Sequence, residues 1–498
     1  MHVAQKEWLL HPYPIDQPNW VMNLVRLGES LGEKCFALLE GKEGEHQRTY
    51  LGFGKGISLT PETFYLTKQE GSGKPPTSPD PIQHLREFLR NHPSNQTLES
   101  GLIGYLDFEW GLKWQKPSAS ICAPNYFFRL CPINLVLLPV SQRLVLEIFM
   151  ENENDREETF ITWCYALDRF LEVSLNSPSS STNLSIRSVS AASNSKPSAP
   201  SALSTTSPSS SSLLPADNSI DTNWHANISR ENFLQRIRQI QKYIGAGDIF
   251  QCVPSQRFSK EIQLDPWIVY EKLRIINPSP YLYCLFADKE TLVGSSPELL
   301  VSSVGSLIQT RPIAGTRPRG QDFEEDHIRE VELLHDPKEM AEHAMLVDLG
   351  RNDIGRVSQY GTVKVREQAA IQRFSHVMHL VSTVQGNLDQ AHDSLDALKA
   401  VFPAGTLSGA PKVRALEILQ ELEPEPRGAY GGALGIMRWN GDLDFCITIR
   451  TLFIQENQIY VQAGAGIVFD SVPKREYEET VHKAGALLKV VNDCAGRS

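Results

Sequence analysis

The sequence lacks the features that mark several large classes of protein. Its 48 lysine and arginine residues are outnumbered by 59 aspartate and glutamate residues, and the net charge of −11 argues against a nucleic-acid-binding protein. The longest apolar runs, such as 133–140, are far too short to cross a bilayer. The first residues, MHVAQKEWLLHPYP, contain no apolar core typical of a signal peptide. We therefore expect a cytoplasmic protein that binds neither nucleic acid nor membranes.

Several motifs of common enzyme classes are missing as well. There is no G-x-x-x-x-G-K-[ST] run and no strand-linked G-x-G-x-x-G, so neither a nucleoside phosphate nor a dinucleotide has an obvious binding loop. The absence of a G-x-S-x-G turn argues against nucleophilic hydrolysis. No G-x-C-x-G loop of a glutamine amidotransferase is present. The eight cysteines are scattered without C-x-x-C spacing, which predicts free thiols in a reducing compartment.

The composition that remains is that of a globular protein, with 41% apolar and 21% charged residues. Residues 176–220 are rich in Ser, Pro, Asn and Thr and poor in large apolar side chains, which predicts a disordered insertion. This segment separates an N-terminal region, 1–175, from a catalytic region, 221–498. Strand-like and helix-like runs alternate irregularly in both regions, so we predict an α+β fold rather than a doubly wound sheet.

Two pairs of glutamates are the first candidates for chemistry. Glu339 and Glu342 lie three residues apart in a helical pattern whose exit is predicted at Gly350 and the pair 352–353, and Glu476 and Glu479 repeat that spacing. Two such pairs on separate helices can converge on a hard divalent cation, which prefers oxygen ligands. Either pair alone is equally typical of a solvated helix surface.

Four further features suit the binding of anions. The run 405–412, GTLSGAPK, leads into a helix whose N-terminus offers free N–H donors, and 462–466, QAGAG, allows close approach of a ligand to the backbone. Arg450 lies in a strand-like run, 444–453, and Lys483 follows Glu479 by one helical turn. Each feature alone also occurs in ordinary turns and surfaces. Together with the glutamates they predict a metal-bridged carboxylate substrate.

Two residues are candidates for proton transfer. Glu298 follows Ser-Pro in GSSPE, and His379 lies within the apolar run VMHLV. Glu298 could equally be an acid near a helix N-terminus, and a histidine in an apolar run is more often a core residue with satisfied hydrogen bonds.

Nine motifs in order resemble the chorismate-utilising enzymes, and among them the large subunits (component I) of anthranilate synthases. The resemblance extends from about residue 229 to the C-terminus and more loosely through 1–175. The motifs are GDIFQCVPSQRF, GSSPELLV, RPIAGTRPRG, EHAMLVDLGRNDIGRV, VMHLVS, GTLSGAPKVRALEI, YGGALG, DFCITIRT and QAGAGIVFDSVP. It implies a large two-lobed fold of mainly antiparallel sheets flanked by helices.

The resemblance also implies roles for individual residues. Mg²⁺ would be bound by Glu342 and Glu479, with Glu339 and Glu476 beside it. Glu298 and His379 would be the acid and base, and Thr406 would position the ring of chorismate. The residues implied in substrate binding are Gln251, Ala314, Gly315, Thr316, Tyr430, Arg450, Gly464, Ala465, Gly466 and Lys483. The implied reaction is amination of chorismate with ammonia followed by elimination of pyruvate, which yields anthranilate for tryptophan biosynthesis.

Two positions distinguish this reaction from those of similar enzymes. Gln251 stands where water-using relatives have a lysine that activates water, so we expect ammonia as the nucleophile. Ala314 stands where aminodeoxychorismate synthases typically have a lysine that attacks the ring, and alanine has no nucleophile. An aminodeoxychorismate synthase without that lysine stays open as an alternative. A non-catalytic paralogue is a second one, although it would be expected to lose its metal ligands first.

Regulation and partners follow from the same resemblance. Feedback-regulated relatives carry L-L-E-S, but here Glu40 is followed by Gly41. The other side of the implied tryptophan pocket, which includes Asn277, Pro278, Ser279 and Tyr281, is present. Because the chain has no glutaminase motif, we expect it to use free ammonia or to form a hetero-oligomer with a separate glutamine amidotransferase subunit (component II).

Overall fold

The computed structural model describes residues 2–10, 20–41, 48–63, 80–91, 98–116, 124–139, 141–150, 152–176, 224–374 and 377–496. The insertion expected at 176–220 lies outside these ranges apart from Asn176. The seven cysteines within the described ranges are unpaired, which confirms the prediction of free thiols for them. Among the described helices, none combines the length and apolarity needed to cross a membrane.

The part of the chain before the insertion folds into strands and helices of moderate length. The strands are β1 His2–Leu9, β2 Cys35–Gly41, β3 Arg48–Phe53, β4 Ile57–Leu59, β5 Gly101–Leu106, β6 Tyr126–Leu130, β7 Ile133–Leu138 and β8 Arg143–Met150. The helices are α1 Trp20–Ser30, α2 Pro81–Asn91, α3 Trp110–Gln115 and α4 Glu153–Asn176.

The part after the insertion contributes the longer helices. Its strands are β9 His225–Ala226, β10 Gln251–Cys252, β11 Ser255–Glu261, β12 Tyr281–Phe286, β13 Thr291–Ser296, β14 Leu299–Val304, β15 Leu307–Thr310, β16 Ile313–Pro318, β17 Lys364–Arg373, β18 Val377–Asn387, β19 Gly409–Ala410, β20 Ala433–Arg438, β21 Leu443–Ile447, β22 Thr451–Gln455 and β23 Gln458–Gly464. Its helices are α5 Arg230–Gly245, α6 Pro266–Ile276, α7 Phe323–Leu334, α8 Pro337–Gly355, α9 Ser394–Val401, α10 Gly405–Ser408, α11 Lys412–Leu422 and α12 Pro473–Ala495.

Within the described residues, the strands form two large antiparallel sheets. One has the order β1-β8-β7-β3-β2-β12-β13-β22-β23-β11-β9, and the other has the order β16-β18-β15-β14-β21-β20-β5-β6-β4 with β17 beside β18. Strands β10 and β19 form a separate short pair. This mixture of helices and antiparallel sheets confirms the predicted α+β class.

Both sheets combine strands from the two sides of the insertion. In the first sheet β2 pairs with β12, and in the second β5 pairs with β20. Each sheet is built from strands of both regions. The division into 1–175, 176–220 and 221–498 concerns the order of segments along the chain and stays a prediction.

Alternating side chains of the first sheet fill two apolar cores. On β12, Tyr281 and Tyr283 face the core between the two sheets, whereas Leu282 and Cys284 face helices on the outside. The outer core includes Trp163 of α4 and the apolar side of α12. Because successive strand residues point to opposite faces, one strand serves both cores.

Helix α8 begins with a strong N-cap and runs further than the sequence suggests. The Asp336 carboxylate accepts hydrogen bonds from the backbone N–H groups of Lys338 and Glu339, at 3.0 and 3.2 Å. The exit predicted at 350–353 is two residues short, because the helix continues to Gly355. Gly350 serves close packing instead: a Cβ there would lie 3.3 Å from the Thr310 methyl carbon.

The strand predicted at 444–453 is wrong as a single element. It divides into β21, which belongs to the second sheet, and β22, which belongs to the first. Arg450, just before β22, has φ +52°, a left-handed conformation that is unfavourable for a residue with a side chain. Such backbone strain is concentrated at functional sites, and the break brings Arg450 to the cavity described next.

Candidate active site

A cavity of about 610 Å³ lies between α8, α12 and the ends of several strands. All but one of the predicted catalytic, substrate-binding and metal-binding residues line it. They are Gln251, Glu298, Ala314, Gly315, Thr316, Glu339, Glu342, His379, Thr406, Tyr430, Arg450, Gly464, Gly466, Glu476, Glu479 and Lys483. The exception is Ala465, which is fully buried and donates its backbone N–H to the carbonyl of Pro254 at 3.2 Å.

The two glutamate pairs face this one cavity from different helices. Glu339 and Glu342 come from α8, and Glu476 and Glu479 come from α12. Burial raises the pKa of Glu342, and the charges of Glu339 and Glu479 raise it further. Burial and the charge of Glu479 also raise the pKa of Glu476. Because the four carboxylates repel one another, this group, here called the glutamate cluster, favours a cation.

The glutamate cluster fits Mg²⁺ in its chemistry, since that ion prefers carboxylate oxygens and retained waters. No three His, Cys, Asp or Glu side chains within the described ranges lie close enough to hold a metal ion as they stand. Three members of the cluster have hydrogen-bond or ion-pair partners. Gln251 donates to Glu342 at 2.9 Å, Arg317 to Glu339 at 3.3 Å, and Lys483 lies 2.6 Å from Glu479.

Glu298 is the buried acid of the site. It precedes β14 rather than a helix, so it is not a helix N-terminal acid. Burial raises its pKa to about 8, although a hydrogen bond from the Thr406 hydroxyl at 2.9 Å and the charge of Lys483 oppose the shift. Glu298 is therefore mostly protonated at neutral pH and can donate a proton.

His379 has the properties of a neutral base. Its Nδ1 lies 2.9 Å from the carbonyl oxygen of Gly315, and a carbonyl can only accept, so Nδ1 carries the proton. Burial lowers the pKa of the imidazole, and the positive charges of Arg450 and Lys483 lower it further. The Nε2 atom is thus left with a free lone pair. The interpretation of His379 as a core residue is wrong, because it lines the cavity.

The cationic side of the cavity is held by hydrogen bonds to the backbone. Arg450 donates to the carbonyl of Lys483 at 3.0 Å, and Lys483 donates from Nζ to the carbonyl of Gly464 at 3.1 Å. Tyr430 lies nearby, and burial raises its pKa to about 12, so it stays a neutral hydrogen-bond donor. These groups offer two positive charges and a hydroxyl to an anionic ligand.

Three glycines keep the cavity open. Gly315 has φ +64°, and a Cβ there would lie 2.9 Å from Leu333 and 3.3 Å from the Glu339 carboxylate. At Gly466 a Cβ would come within 2.8 Å of Gln251 Nε2, and at Gly464 within 3.2 Å of the Tyr430 hydroxyl. A side chain at any of these positions would displace a residue of the site.

Known proteins are similar to this chain over most of its length. A model of the family described as chorismate binding enzyme matches residues 34–489. Anthranilate synthase component 1 of Acetivibrio thermocellus is 39% identical over 474 residues, which cover 92% of this chain and 90% of that protein. The crystal structure of anthranilate synthase component I from Streptococcus pneumoniae TIGR4 matches with a TM-score of 0.65 and 30% identity over 92% of each chain.

The chain belongs to the chorismate binding enzyme family. The resemblance found in the sequence is thereby confirmed, and with it the assignment as an enzyme. The menaquinone-specific isochorismate synthase from Escherichia coli has a TM-score of 0.68 at 19% identity, over 98% of this chain and 94% of that one. At that identity the likeness concerns the fold alone.

Sequence reasoning missed several residues of this cavity. Lys338, Gln462 and His482 line it together with the residues named above. Lys338 directly precedes Glu339, and His482 directly precedes Lys483. Their position beside predicted site residues was the signal that could have indicated them. Gln462 was part of the glycine-rich run 462–466, and its Nε2 donates to the Ser255 hydroxyl at 2.8 Å.

The residues predicted to bind tryptophan lie apart from the cavity between α8 and α12. Gly41 and Tyr281 line a second cavity of about 770 Å³, which also contains Arg48 and Arg438. Glu40 faces the opposite side of the sheet, where it accepts a hydrogen bond from Arg274 Nε at 2.9 Å. Three further predicted residues, Asn277, Pro278 and Ser279, follow α6 and are not in the lining of that cavity.

Proposed function

We propose that the chain catalyses the Mg²⁺-dependent amination of chorismate with ammonia and the elimination of pyruvate, which together yield anthranilate. The observation that carries this proposal is the single cavity that joins a protonated acid, two basic side chains and the glutamate cluster. The names of relatives that share most of their length with this chain support the same reaction.

Proton transfer is assigned to two residues on the buried side of the cavity. Glu298, which is protonated near neutral pH, donates a proton to the departing 4-hydroxyl, so that the group leaves as water. His379, with its free Nε2, accepts a proton as the ring becomes aromatic. The hydrogen bond from Thr406 keeps the Glu298 carboxyl aimed into the cavity.

Chorismate carries two carboxylates, and the chain offers separate means to neutralise them. Arg450 and Lys483 supply positive charge, and Tyr430 supplies a neutral hydrogen-bond donor. The residues that would hold Mg²⁺ are Glu342 and Glu479, with Glu339 and Glu476 beside them. When bound there, the ion would act as a Lewis acid that neutralises charge on the ring carboxylate.

Two positions support ammonia rather than another nucleophile. Gln251 lines the cavity beside Glu342, and an amide cannot activate water as a base. Ala314 also lines the cavity and offers no group that could attack the ring. An aminodeoxychorismate synthase that lacks the attacking lysine is the alternative that an assay has to separate.

We assign the supply of ammonia to a separate glutamine amidotransferase subunit, with which this chain forms a hetero-oligomer. The chain has no nucleophile loop of such an enzyme, and no cysteine is among the described residues that line the cavity. The unpaired cysteines support the cytoplasm as the compartment. Glutamine alone should then give no product, and addition of a glutaminase subunit should restore activity with glutamine.

A product assay tests the proposed function. The purified chain is incubated with chorismate, Mg²⁺ and an ammonium salt, and fluorescence of anthranilate is followed. Anthranilate that forms directly supports the proposal. p-Aminobenzoate that appears only after a lyase is added would identify an aminodeoxychorismate synthase instead, and the absence of both would favour a non-catalytic paralogue.

Inhibition by tryptophan is a further part of the proposal. It is supported by a second cavity that holds arginine and tyrosine side chains beside Gly41 and Tyr281. Strand β14, which begins at Leu299, lines this cavity, and the acid Glu298 directly precedes that strand. Activity that is unchanged at saturating tryptophan would contradict the proposal, and tryptophan that binds without inhibition would indicate a structural ligand.

A further inference from the structure

Lys483 lies within reach of two different anionic partners. Its Nζ is 2.6 Å from the Oε1 atom of Glu479, one turn earlier on α12. The same side chain lines the cavity that the proposed function assigns to chorismate. The ammonium of Lys483 therefore lies between Glu479 and the cavity.

The pair formed by Lys483 and Glu479 is weak enough to exchange partners. The two side chains are 39% and 45% exposed, and ion pairs of that exposure add little stability. Lys412 and Asp353 differ in this respect, since they are 8% and 13% exposed and lie 2.7 Å apart. A buried pair of that kind is costly to separate, whereas Lys483 can leave Glu479 at little cost.

The backbone near Lys483 is anchored, and its Nζ is held by the ion pair with Glu479 and by a hydrogen bond to the carbonyl of Gly464 at 3.1 Å. Arg450 donates to the carbonyl of Lys483 at 3.0 Å and thereby anchors this turn of α12. The lysine side chain can consequently swing between two acceptors without movement of the helix.

The three partners of the glutamate cluster are not equivalent. Arg317, the partner of Glu339, is not among the residues that line the cavity. Gln251, the partner of Glu342, lines the cavity but carries no charge. Lys483 is thus the partner that can carry a positive charge from the cluster to the substrate.

We propose that Lys483 is a shared counter-ion that couples the binding of a divalent cation to the binding of chorismate. A cation that takes Glu479 repels the ammonium, which then binds a substrate carboxylate. A substrate carboxylate that takes Lys483 leaves Glu479 free for the cation. Each ligand therefore strengthens the binding of the other, and the two increases are equal. The inference rests on the proposed function, from which the substrate and the cation are taken.

The test is calorimetric titration of Mg²⁺ into the full chain, in ammonia-free buffer, with and without saturating chorismate. For the wild type we expect chorismate to tighten Mg²⁺ binding by about fivefold or more, within the usual range of such couplings. Lys483→Met should bind Mg²⁺ more tightly than the wild type without chorismate, and chorismate should tighten Mg²⁺ binding to this variant by a smaller factor, the part that direct attraction between the ion and the ring carboxylate supplies. Lys483→Arg, which keeps the charge, should restore part of the coupling.

Lys338→Met is the matched control. Lys338 lines the same cavity and forms no ion pair with the described residues. Loss of Lys338 removes one positive charge from the cavity and should therefore raise the affinity for Mg²⁺. The factor by which chorismate tightens Mg²⁺ binding should stay at the wild-type value. Melting temperatures check the folding of each variant, and Lys483→Gln serves as a second neutral replacement.

Coupling as strong in Lys483→Met and in Lys483→Gln as in the wild type would overturn the proposal, and so would a wild type in which chorismate leaves Mg²⁺ affinity unchanged. Formation of anthranilate by the wild type is measured in parallel. A wild type that makes anthranilate without coupling contradicts the shared counter-ion alone. A wild type that makes no anthranilate contradicts the proposed function itself.

Discussion

The two sides of the cavity are governed by different physics. On one side, here called the proton-transfer wall, Glu298 is buried and His379 is half-buried, with Thr406 and Tyr430 beside them. On the other side, the glutamate cluster projects from α8 and α12, and three of its four members are half-buried. Both sides contain carboxylates of the same chemical type. Their difference in behaviour therefore comes from their surroundings.

On the proton-transfer wall, desolvation dominates. It raises the pKa of Glu298 to about 8 even though Lys483 and Thr406 oppose the shift. In the glutamate cluster, repulsion between neighbours adds to burial, and partners such as Gln251 and Lys483 hold the carboxylates. One side thus keeps a proton on a carboxyl, and the other gathers carboxylates whose mutual repulsion a bound cation would relieve.

The largest expected effect removes a member of the glutamate cluster. Glu342→Ala should lower turnover by about 10³-fold or more, because several kcal/mol of charge stabilisation by the metal is lost. The rate of anthranilate formation and the melting temperature together check this prediction. Asp348→Asn is the matched control, since Asp348 is an exposed carboxylate on the same helix. A Glu342→Ala variant with a near-normal rate would contradict the metal assignment.

A somewhat smaller effect is expected on the proton-transfer wall. Glu298→Gln keeps the shape of the side chain and removes its proton-donating carboxyl, so the turnover number should fall by about 10²- to 10⁴-fold. The affinity for Mg²⁺ should stay unchanged, because the glutamate cluster is intact. Retention of more than half of the wild-type rate would show that Glu298 is not the acid.

The structures that support the two sides should differ in stability. Asp353 of α8 forms a buried ion pair with Lys412, the first residue of α11. Lys412→Met should therefore cost about 3–5 kcal/mol of unfolding free energy. Lys483→Met, which breaks a half-exposed pair, should cost about 1 kcal/mol or less. Denaturant unfolding of both variants measures the difference, and equal costs would contradict the comparison.

The smallest effect concerns the hydrogen bond that Thr406 donates to Glu298. This bond lowers the pKa of Glu298, so Thr406→Val should raise it further above about 8. In the wild type, activity should fall above pH 8 as the acid loses its proton, and in Thr406→Val this fall should begin at higher pH. The maximal rate should drop by about fivefold, the value of one hydrogen bond. A pH–rate profile that does not move would count against the contact.

The glutamate cluster was the part of the site most open to prediction from the sequence. Spacing of three residues in helical patterns predicted that Glu339 and Glu342 share one face, and Glu476 and Glu479 another. The two pairs are more than 130 residues apart in the sequence, yet they line one cavity. Their convergence needed the family resemblance in addition to spacing, because local patterns carry no information about such distant contacts.

The proton-transfer wall was less predictable, because its properties come from tertiary packing. Nothing in the sequence around Glu298 indicates that its carboxyl is desolvated. The run 444–453 looks like a single strand, and only the left-handed backbone at Arg450 reveals the break between the two sheets. Gly350 resembles a helix exit, but in the fold it permits close contact with Thr310. In each case a distant part of the chain overrides the local preference.

The central claim is that burial keeps Glu298 protonated while the glutamates across the same cavity stay available to a cation. The most direct test is a carboxyl titration by ¹³C NMR of the protein with labelled glutamate, in which Glu298→Gln identifies the signal. We predict that the Glu298 signal titrates near pH 8. A signal that titrates below about pH 5, as for a solvated glutamate, would contradict this account.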